Sequence, residues 1–217
     1  MPSRAEKTAA LDQALYGFLE ELDAGKNLNI IGIDEVGRGS LSGPLSVAAV
    51  ALPLNPRISG LNDSKKLSAL RRETLTQEIN KIAKSYSIID IEAQAIDSIG
   101  IGEAVKRGMS QAIGEVTAQI GEPDIVLIDG KPLHIHPNER AIIKGDGKVA
   151  SIAAASIIAK VHRDALMVGY SKEYPSYDWH SNKGYGSAAH CAAIKELGLT
   201  PLHRQSFCSG ILKETLF

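Results

Sequence analysis

The chain has 217 residues, of which 44% are hydrophobic and 23% are charged, so it can bury a sizeable core and is not an intrinsically disordered chain. Lys and Arg total 24 against 25 for Asp and Glu, and this net charge of -1 excludes binding to nucleic acid through overall charge; any phosphate-binding surface must be local. The two cysteines lack the density of a disulfide scaffold, and no apolar stretch has the length of a signal peptide or a membrane span, so we expect a cytoplasmic protein without membrane contact.

The first half of the chain predicts two helices and three strands. Leucines recur at helical spacing before Gly25, and a glycine-rich loop separates the first two apolar runs, as in a hairpin. The elements are a helix over 5–24, strands over Leu28–Asp34 and Ser46–Leu52, a helix over 64–84 capped by Ser64 or Ser68, and a strand over Tyr86–Glu92.

The second half predicts three further helices and two strands. The elements are a helix over Ser98–Ile120, strands over Ile125–Ile128 and Ala141–Lys144, and helices over 149–169 and 187–197. Glycines inside the first of these helices predict a kink or a break, because each interior glycine costs roughly 1 kcal/mol relative to alanine. The helical pattern lapses over Tyr170–Lys183, which is the weakest candidate boundary in the chain.

A meander of strands followed by strands that alternate with helices predicts an α/β fold with a mixed five-stranded sheet flanked by helices. We expect residues 1–217 to form a single domain, with a sheet-and-helix core over about 1–170 and a helical C-terminal extension over about 171–217 packed on that core. We also expect the protein to be a monomer.

Two adjacent carboxylates, Asp34 and Glu35, stand at the end of an apolar strand. Burying two acidic groups is costly unless a cation meets them, and a hard divalent metal would do so. Gly37 and Gly39 leave the backbone amides free to cradle a phosphate, to which Arg38 would add charge. Alternatively, Asp34 caps a turn and Arg38 forms an ordinary ion pair. Neighbouring strand residues point to opposite faces, so both carboxylates can serve one metal centre only if the strand ends or bulges there.

Asp129 and Asp146 are the candidate partners of this pair. Each follows a predicted strand, and functional groups collect at the carboxyl ends of strands in open α/β sheets. The alternative for Asp129 is a simple turn with Gly130. Four carboxylates in one place would raise one another's pKa unless divalent cations compensated, and oxygen ligands suit two Mg²⁺ or Mn²⁺ ions rather than zinc. Such a pair of ions can activate a water and stabilise the leaving oxygen of a phosphodiester.

The motifs around these acids resemble the signatures of bacterial ribonuclease HII, in family order and spacing from about residue 29 to residue 207. The matching segments are Gly32–Gly39, Asn62–Ser68, Val126–Gly130, Lys144–Asp146, Ser151–Asp164, Asn182–Gly186 and His203–Phe207. Each segment is a weak signal alone, and the ordered set is specific. Ser40 stands where the family frequently has proline and Ser187 where it frequently has threonine, and neither change alters a candidate ligand.

The resemblance implies a ribonuclease H-like fold and an endonuclease that acts on RNA–DNA hybrids and on duplex DNA containing single ribonucleotides. Such an enzyme cuts the phosphodiester on the 5′ side of a ribonucleotide by two-metal-ion catalysis with Mg²⁺ or Mn²⁺. It leaves 3′-hydroxyl and 5′-phosphate ends and removes misincorporated ribonucleotides. The implied metal-binding and catalytic residues are Asp34, Glu35, Asp129 and Asp146.

The resemblance also implies a set of substrate-binding residues. Gly37, Arg38 and Gly39 match the loop that lies against the neighbouring phosphate and the 2′-hydroxyl, the group by which a protein tells RNA from DNA. Tyr185 matches the tyrosine that stacks beside the sugar next to the scissile bond and helps to sense a ribose-to-deoxyribose junction; surface packing is its alternative. The positions expected near the nucleic-acid backbone are Lys65, Lys66, Ser156 and Lys160, and a solvated helix charge is the alternative for Lys66.

Other residues of the motifs leave alternatives open. We interpret Asp164 as structural, pairing with Arg163 or with a helix end, and His203 and Arg204 as either phosphate contacts or packing residues. The C-terminal segment Leu212–Phe217 resembles peptides that bind sliding clamps, and docking on the parent body is its alternative. Two other functions are a different nuclease of ribonuclease H-like fold, such as a resolvase, and a catalytically silent binding module. The Gly-Arg-Gly loop argues against the first and the four acids argue against the second.

Overall fold

The computed structural model describes residues 3–213, except for the side chains of Arg4 and Lys213, and it contains a five-stranded sheet with helices on both faces. The strands are β1 (Ile30–Val36), β2 (Leu45–Ala51), β3 (Ser85–Ile91), β4 (Ile125–Asp129) and β5 (Glu139–Ile142). The helices are α1 (Arg4–Asp23), α2 (Ala69–Ile82), α3 (Ala93–Ile99), α4 (Ile101–Ile120), α5 (Ala150–Glu173), α6 (Trp179–Asn182), α7 (Ala188–Leu197) and α8 (Gln205–Lys213). Short 3₁₀ helices lie at Ser64–Lys66, Gly145–Gly147 and Pro175–Tyr177.

The order of the strands across the sheet is β3-β2-β1-β4-β5. β1 and β2 form an antiparallel hairpin and β2 pairs antiparallel with β3, as a meander requires. β4 pairs in parallel with β1, and β5 pairs in parallel with β4. The carboxyl ends of β1, β4 and β5 therefore lie at one edge of the sheet, and the predicted mixed five-stranded α/β fold is confirmed.

Each face of the sheet packs against a different layer of helices. Because side chains alternate along a strand, Ile31 and Ile33 of β1 face α3 and α4, whereas Ile30 faces α5 and its neighbours α1 and α2. The first half of α5 is buried and rich in alanine, so it lies close to the sheet. Gly32 marks the closest approach, since a Cβ there would overlap the backbone of Ser151. At Gly32 this face of β1 therefore has no room for a side chain.

The helix predicted over Ser98–Ile120 is divided into two helices. Gly100 adopts a positive φ of 79° between α3 and α4 and thereby ends the first helix. The later glycines of the segment lie inside an unbroken α4, where Gly108 packs against Val47 of β2. The predicted break is therefore present, and α3 extends the helical region back to Ala93.

Other boundaries differ from the prediction as well. The strand predicted over Leu28–Asp34 runs from Ile30 to Val36, so Asp34 and Glu35 lie inside β1 and not at its end. The helix predicted over 64–84 begins at Ala69, with Ser68 as its cap, because the Ser68 Oγ accepts a hydrogen bond of 3.2 Å from the N–H of Arg71. The strand predicted to end at Lys144 ends at Ile142, because Lys144 takes a left-handed φ of 58° and leads into a 3₁₀ helix.

The predicted helical C-terminal extension packs against the end of α5, which continues to Glu173. A cluster of buried side chains joins the two parts; its members are Met167, Tyr177, Trp179, Ala193, Ile194 and Cys208. The segment where the helical pattern lapsed contains a 3₁₀ helix and the short α6. None of the helices within residues 3–213 has the length and hydropathy needed to cross a membrane.

Candidate metal centre and nucleic-acid interface

Two of the predicted carboxylates lie side by side at the carboxyl edge of the sheet. Ile33 of β1 pairs with Ile128 of β4 in parallel register. The next residue along each strand is an acid, so Asp34 and Asp129 are neighbours. Residues two apart on a strand share a face, so Asp34 lies on the same face as Gly32, and Asp129 lies on the same face as Leu127. Gly32 and Leu127 both face α5, and the two acids therefore lie on the α5 face of the sheet.

Asp146 approaches these two acids from the side of β5. It lies in the 3₁₀ helix Gly145–Gly147, which begins where the chain turns at Lys144. Asp34, Asp129 and Asp146 each offer a carboxylate oxygen, and these oxygens lie within 4.8 Å of one another. Three carboxylate oxygens at this spacing are the kind of donor set that holds a hard divalent cation.

Backbone hydrogen bonds orient two of the carboxylates. The Asp34 Oδ1 accepts a bond of 2.8 Å from the N–H of Glu35, and the Asp129 Oδ1 accepts a bond of 2.6 Å from the N–H of Gly145. The second bond ties the last residue of β4 to the residue before Asp146. The relative positions of the acids are thus set by the protein backbone.

The electrostatics of the site favour a bound cation. Burial, together with the charges of Glu35 and Asp129, raises the pKa of Asp34 well above its usual value, and a hydrogen bond from Ser156 opposes this rise. Burial and the charge of Asp129 also raise the pKa of Asp146. A divalent cation among these carboxylates would offset both the burial and the mutual repulsion. The residues present therefore fit a hard divalent metal.

Glu35 lies beside this group and on the other face of β1. It lines the same cleft as Asp34 and also a second cleft on the α4 side, which it shares with Asp129 and Val105. Its Oε1 lies 3.4 Å from an Nη1 of Arg38, and burial raises its pKa in spite of that ion pair. The structure therefore brings three of the four predicted acids within 4.8 Å and places the fourth at the edge of the group.

The cleft that contains both Asp34 and Asp129, called the main cleft below, has a volume of about 470 Å³, and the cleft on the α4 side has about 590 Å³. The main cleft brings together residues from five separate stretches of the chain. Seven of the eight predicted substrate-binding residues line it, and these are Gly37, Arg38, Gly39, Lys65, Ser156, Lys160 and Tyr185. Residues far apart in sequence thus form one continuous surface around Asp34 and Asp129.

The eighth predicted residue, Lys66, lines an adjoining cleft of about 410 Å³ on the Asp146 side. Lys144 lines the same cleft, and Lys131 lines the cleft on the α4 side. Neither lysine is among the substrate-binding residues predicted from the sequence. The sequence feature that could have indicated them is their position, since Lys144 stands two residues before Asp146 and Lys131 two residues after Asp129.

The loop between β1 and β2 is held by two buried arginines. Arg163 donates to the carbonyls of Pro44, Lys183 and Ser42 at 2.8, 2.9 and 3.0 Å. Burial lowers the pKa of its guanidinium. Gly37 lies against this side chain with a φ of +87°, and a Cβ there would overlap the Arg163 Nε.

Arg204 holds the same loop from the C-terminal side. Its guanidinium donates to the carbonyl of Gly43 at 2.9 and 3.1 Å and to the carbonyl of Arg38 at 3.0 Å. Burial lowers the pKa of Arg204 to about 10, so it remains charged at neutral pH. Of the two alternatives for Arg204, a phosphate contact or a packing residue, the structure favours the packing residue, because the side chain is fully buried and donates to backbone carbonyls.

The interpretation of Asp164 as structural holds, but its partner is not the one expected. Its carboxylate lies 2.7 Å from the Lys160 Nζ and 3.9 Å from Arg72, whereas Arg163 binds the loop. In a helix, residues four positions apart share a face and adjacent residues do not, which pairs Asp164 with Lys160. Ser156, one turn before Lys160, bonds to Ser64 at 2.9 Å and to Asp34.

Tyr185 stands at the rim of the main cleft. Gly184, the residue before it, accepts a hydrogen bond of 2.8 Å from the N–H of Leu41 in the loop between β1 and β2. The Arg163 guanidinium lies 5.5 Å from the centre of the Tyr185 ring, on the side of the protein interior. The residue is 37% exposed, so part of the ring is available to a ligand in the cleft.

Comparison with known proteins identifies the family of this fold and site. The model of the family described as ribonuclease HII matches residues 31–210. A ribonuclease HII of Listeria monocytogenes is 48% identical over 178 residues, which is 82% of this chain and 67% of the relative. The ribonuclease HII solved in the PCNA:RNase HII complex from Archaeoglobus fulgidus is 28% identical, with a TM-score of 0.69 over 83% of this chain and 94% of that one.

The fold has a further counterpart in the ribonuclease H2 of Pyrococcus horikoshii. That structure has a TM-score of 0.72 and 23% identity, and the match covers 87% of this chain and 99% of the other. The family match includes every acid of the site, both buried arginines and Tyr185. The chain therefore belongs to the ribonuclease HII family and is a ribonuclease H.

Proposed function

We propose that this ribonuclease H hydrolyses the phosphodiester on the 5′ side of ribonucleotides, both in RNA–DNA hybrids and in duplex DNA that contains single ribonucleotides. The products would carry 3′-hydroxyl and 5′-phosphate ends, and the cellular role would be the removal of misincorporated ribonucleotides. The observation that carries the proposal is the shared cleft of Asp34 and Asp129 with the Gly37–Gly39 loop and Tyr185. This arrangement combines a metal-binding group with a loop and a ring suited to a sugar and its phosphate.

The proposed cofactor is a pair of Mg²⁺ or Mn²⁺ ions held by Asp34, Glu35, Asp129 and Asp146. Support comes from the oxygen-only donors, from the 4.8 Å grouping of the three aspartates and from the raised pKa of Asp34. When bound, such ions activate a water for attack and stabilise the leaving oxygen. The protein residues orient the carboxylates through the backbone bonds of Glu35 and Gly145.

Substrate selection is proposed to rest on the Gly37–Gly39 loop. Its backbone can approach a 2′-hydroxyl because Gly37 has no side chain and because Arg163 and Arg204 hold the loop from the protein interior. Arg38 is exposed and adds a positive charge beside Glu35. Tyr185 would stack on the sugar next to the scissile bond.

The lysines around the clefts are proposed to contact the nucleic-acid backbone. Lys65 is exposed and borders both the main cleft and the cleft of Asp146. Lys66 lies 3.9 Å from Asp63, and the Lys160 Nζ is bonded to Asp164, so part of their charge is already balanced within the protein. Lys65 is therefore the strongest of the three phosphate contacts that we propose.

A duplex panel tests the proposed function. The substrates are a DNA duplex with one ribonucleotide, an RNA–DNA hybrid, an all-DNA duplex and an all-DNA four-way junction, each with Mg²⁺, Mn²⁺ or excess chelator. We expect cleavage of the first two with either metal, on the 5′ side of the ribonucleotide, and none with chelator. Cleavage of the junction alone would assign the site to a resolvase, and activity that survives the chelator would refute the metal assignment.

We also propose that the C-terminal segment Leu212–Phe217 contacts a sliding clamp. The relative from Archaeoglobus fulgidus was solved as a PCNA:RNase HII complex, and this chain ends in an apolar Leu-Phe pair. Leu212 and Lys213 lie at the end of α8, where Leu212 packs against the buried cluster of the C-terminal extension, and residues 214–217 lie outside the described residues. Deletion of the last six residues should abolish capture on an immobilised clamp, and capture that survives the deletion would remove this proposal.

A further inference from the structure

A chain of hydrogen bonds runs behind Tyr185, on the side away from the cleft. The Tyr185 carbonyl lies 2.9 Å from the Nδ1 of His190. The other ring nitrogen of His190, Nε2, lies 3.0 Å from the Nε1 of Trp179 and 3.1 Å from the Nε2 of His203. The Nδ1 of His203 in turn accepts a bond of 2.9 Å from the N–H of Thr200. Within the C-terminal extension, Tyr185 is thus joined to Thr200 through two histidine rings.

The partners assign the proton on each ring. The indole N–H of Trp179 can only donate, so the Nε2 of His190 is an acceptor and its proton lies on Nδ1. The Tyr185 carbonyl can only accept, which the Nδ1–H of His190 satisfies. For His203, the Thr200 N–H requires an acceptor at Nδ1, so its proton lies on Nε2 and is donated to His190. Each donor in the chain has an acceptor when both rings are neutral, and the donors of Trp179 and His203 share the Nε2 lone pair of His190.

The surroundings of the two rings keep them in that form. His190 is 0% exposed and His203 is 2% exposed. Burial lowers the pKa of both, and that of His203 falls to about 4 because the neighbouring His190 adds to the effect. A neutral imidazole has one donor and one acceptor nitrogen, so each ring accepts a hydrogen bond on one side and donates one on the other.

We infer that His190 and His203 are positioning residues for Tyr185, so that they set the preference of the enzyme for a ribose-to-deoxyribose junction over a continuous hybrid. The inference rests on the proposed role of Tyr185 at the sugar. His190 fixes the carbonyl of Tyr185, and that bond, with the bond of 2.8 Å from the Ser187 N–H, sets the direction in which the Tyr185 side chain leaves the backbone. His203 acts one step further back, because its Nε2–H, together with the indole N–H of Trp179, keeps the Nε2 of His190 as an acceptor.

A purely structural role is the alternative, since the same rings pack among aromatic side chains. His203 lies 4.9 Å from the ring of Tyr177, and His190 lies 6.1 Å from the ring of Trp179. Loss of such packing would lower stability and lower the rate on every substrate alike. Loss of positioning would instead change the ratio of rates on two substrates that differ at the sugar.

Two substitutions of His190 separate these roles. His190→Asn places an amide nitrogen where Nδ1 lies, so it can still donate to Tyr185, whereas His190→Gln places its amide at the site of Nε2 and leaves the Tyr185 carbonyl without that donor. Each variant is combined with Tyr185→Ala in a double-mutant cycle. The measured quantity is kcat/KM on a single-ribonucleotide duplex divided by kcat/KM on an RNA–DNA hybrid, which does not depend on the fraction of enzyme that is folded.

We expect His190→Gln to lower this ratio by about tenfold, within the range of coupling between contacting residues, and His190→Asn to leave it near the wild-type value. In the Tyr185→Ala background, His190→Gln should have no further effect on the ratio. Equal ratios in His190→Gln and wild type, or an undiminished effect of His190→Gln without the Tyr185 ring, would overturn the inference.

The cycle also distinguishes failure of the inference from failure of the proposed function. If Tyr185→Ala itself leaves the ratio unchanged, the proposed role of Tyr185 is wrong and the inference falls with it. If Tyr185→Ala lowers the ratio and His190→Gln does not, only the inference is overturned. Should His190→Gln fail to fold, His190→Met carries the same cycle, since methionine has no N–H to donate to the Tyr185 carbonyl; it is expected to shift the ratio in the same direction, and an unchanged ratio would overturn the inference.

Discussion

The carboxylate of Asp129 and the backbone N–H of Gly145 are joined by a hydrogen bond of 2.6 Å, which links the end of β4 to the turn that carries Asp146. Asp129→Asn keeps an oxygen that can accept this bond and removes only the negative charge. We expect cleavage to fall by about 100- to 1,000-fold or more, with substrate binding retained, because preorganised charge is lost from the site. Single-turnover cleavage and fluorescence anisotropy measure the two effects, and full activity would refute the metal assignment.

Asp34→Asn should stabilise the protein when no metal is present. Asp34 is buried, and its raised pKa shows that burial and the charge of Glu35 disfavour its ionised form. An amide of the same shape removes that cost. We expect the melting temperature in chelator to rise by about 2–4 °C, the shift that about 1 kcal/mol produces in a chain of this size.

The same substitution should remove the stabilisation that metal gives the wild type. Addition of Mg²⁺ is expected to raise the melting temperature of the wild type more than that of Asp34→Asn, because the ion binds the folded state. Glu122→Gln serves as the matched control, since Glu122 is exposed before β4. A lower melting temperature of Asp34→Asn in chelator would contradict the electrostatic account of this site.

Gly37→Ala should displace the loop that faces the substrate. The φ of +87° is costly for alanine, by about 1–3 kcal/mol, and the new Cβ would overlap the Arg163 side chain. We expect a lower melting temperature and a loss of activity on both substrates. Gly39→Ala is the control for stability, because a Cβ at Gly39 meets no atom within 4 Å, and its melting temperature should match the wild type.

Acid should destabilise the protein through His203. Its pKa falls from 6.5 in the unfolded chain to about 4 in the folded protein, so the unfolded state binds the proton first as the pH decreases. Stability from this residue is complete above about pH 6.5 and is lost progressively toward pH 4. Denaturant titrations at pH 7, 6 and 5 should show His203→Gln with a shallower decline than the wild type, by up to roughly 1.4 kcal/mol per pH unit.

His162 provides a comparison of opposite sign. A hydrogen bond of 2.6 Å to Asp90 raises its pKa, so its contribution to stability is present below the unfolded pKa and is lost as the pH rises through the folded value. The free energy of unfolding of His162→Gln should therefore decline more steeply in acid than that of the wild type.

The His203 prediction has its own contradicting outcome. If the free energy of unfolding of His203→Gln declined as steeply in acid as that of the wild type, the His203 ring would not be neutral in the folded protein.

Lys65→Ala should reduce the salt dependence of binding. Each phosphate contact contributes roughly 0.9 to the slope of the logarithm of the binding constant against the logarithm of salt concentration. We expect the slope of the Lys65 variant to fall by about that amount and the slope of Lys66→Ala to fall by less, because Lys66 is paired with Asp63. Lys26→Ala is the control, since Lys26 precedes β1 at the opposite end of the sheet, and an unchanged slope in Lys65→Ala would exclude the contact.

The acids of the site were predictable from the sequence because strand ends are visible in it. Asp34 and Asp129 each end an apolar run, and two parallel strands bring such ends together. The sequence also raised the difficulty with Glu35, since alternation along β1 sends it to the other face. What the sequence could not show was that Glu35 nevertheless borders the clefts on both sides of the site.

The support of the substrate loop was not predictable in the same way. Arg163 and Arg204 are fully buried, whereas an arginine in a helix or a loop is ordinarily assigned to the surface. Their acceptors are carbonyl groups on distant residues, and no side-chain pattern records which carbonyl a guanidinium will meet. Likewise, the left-handed turn at Lys144 ended β5 early without a glycine to mark it.

The two buried guanidiniums bind groups that every amino acid possesses. The path of the loop is therefore specified by main-chain oxygens and not by the identity of its side chains. The hydroxyls of Ser40 and Ser42 fit this view, because within residues 3–213 they are buried with no hydrogen-bond partner. Loss of either hydroxyl should therefore leave the active-site geometry unchanged, whereas the arginines themselves have no equivalent replacement, since lysine lacks the planar fork of donors.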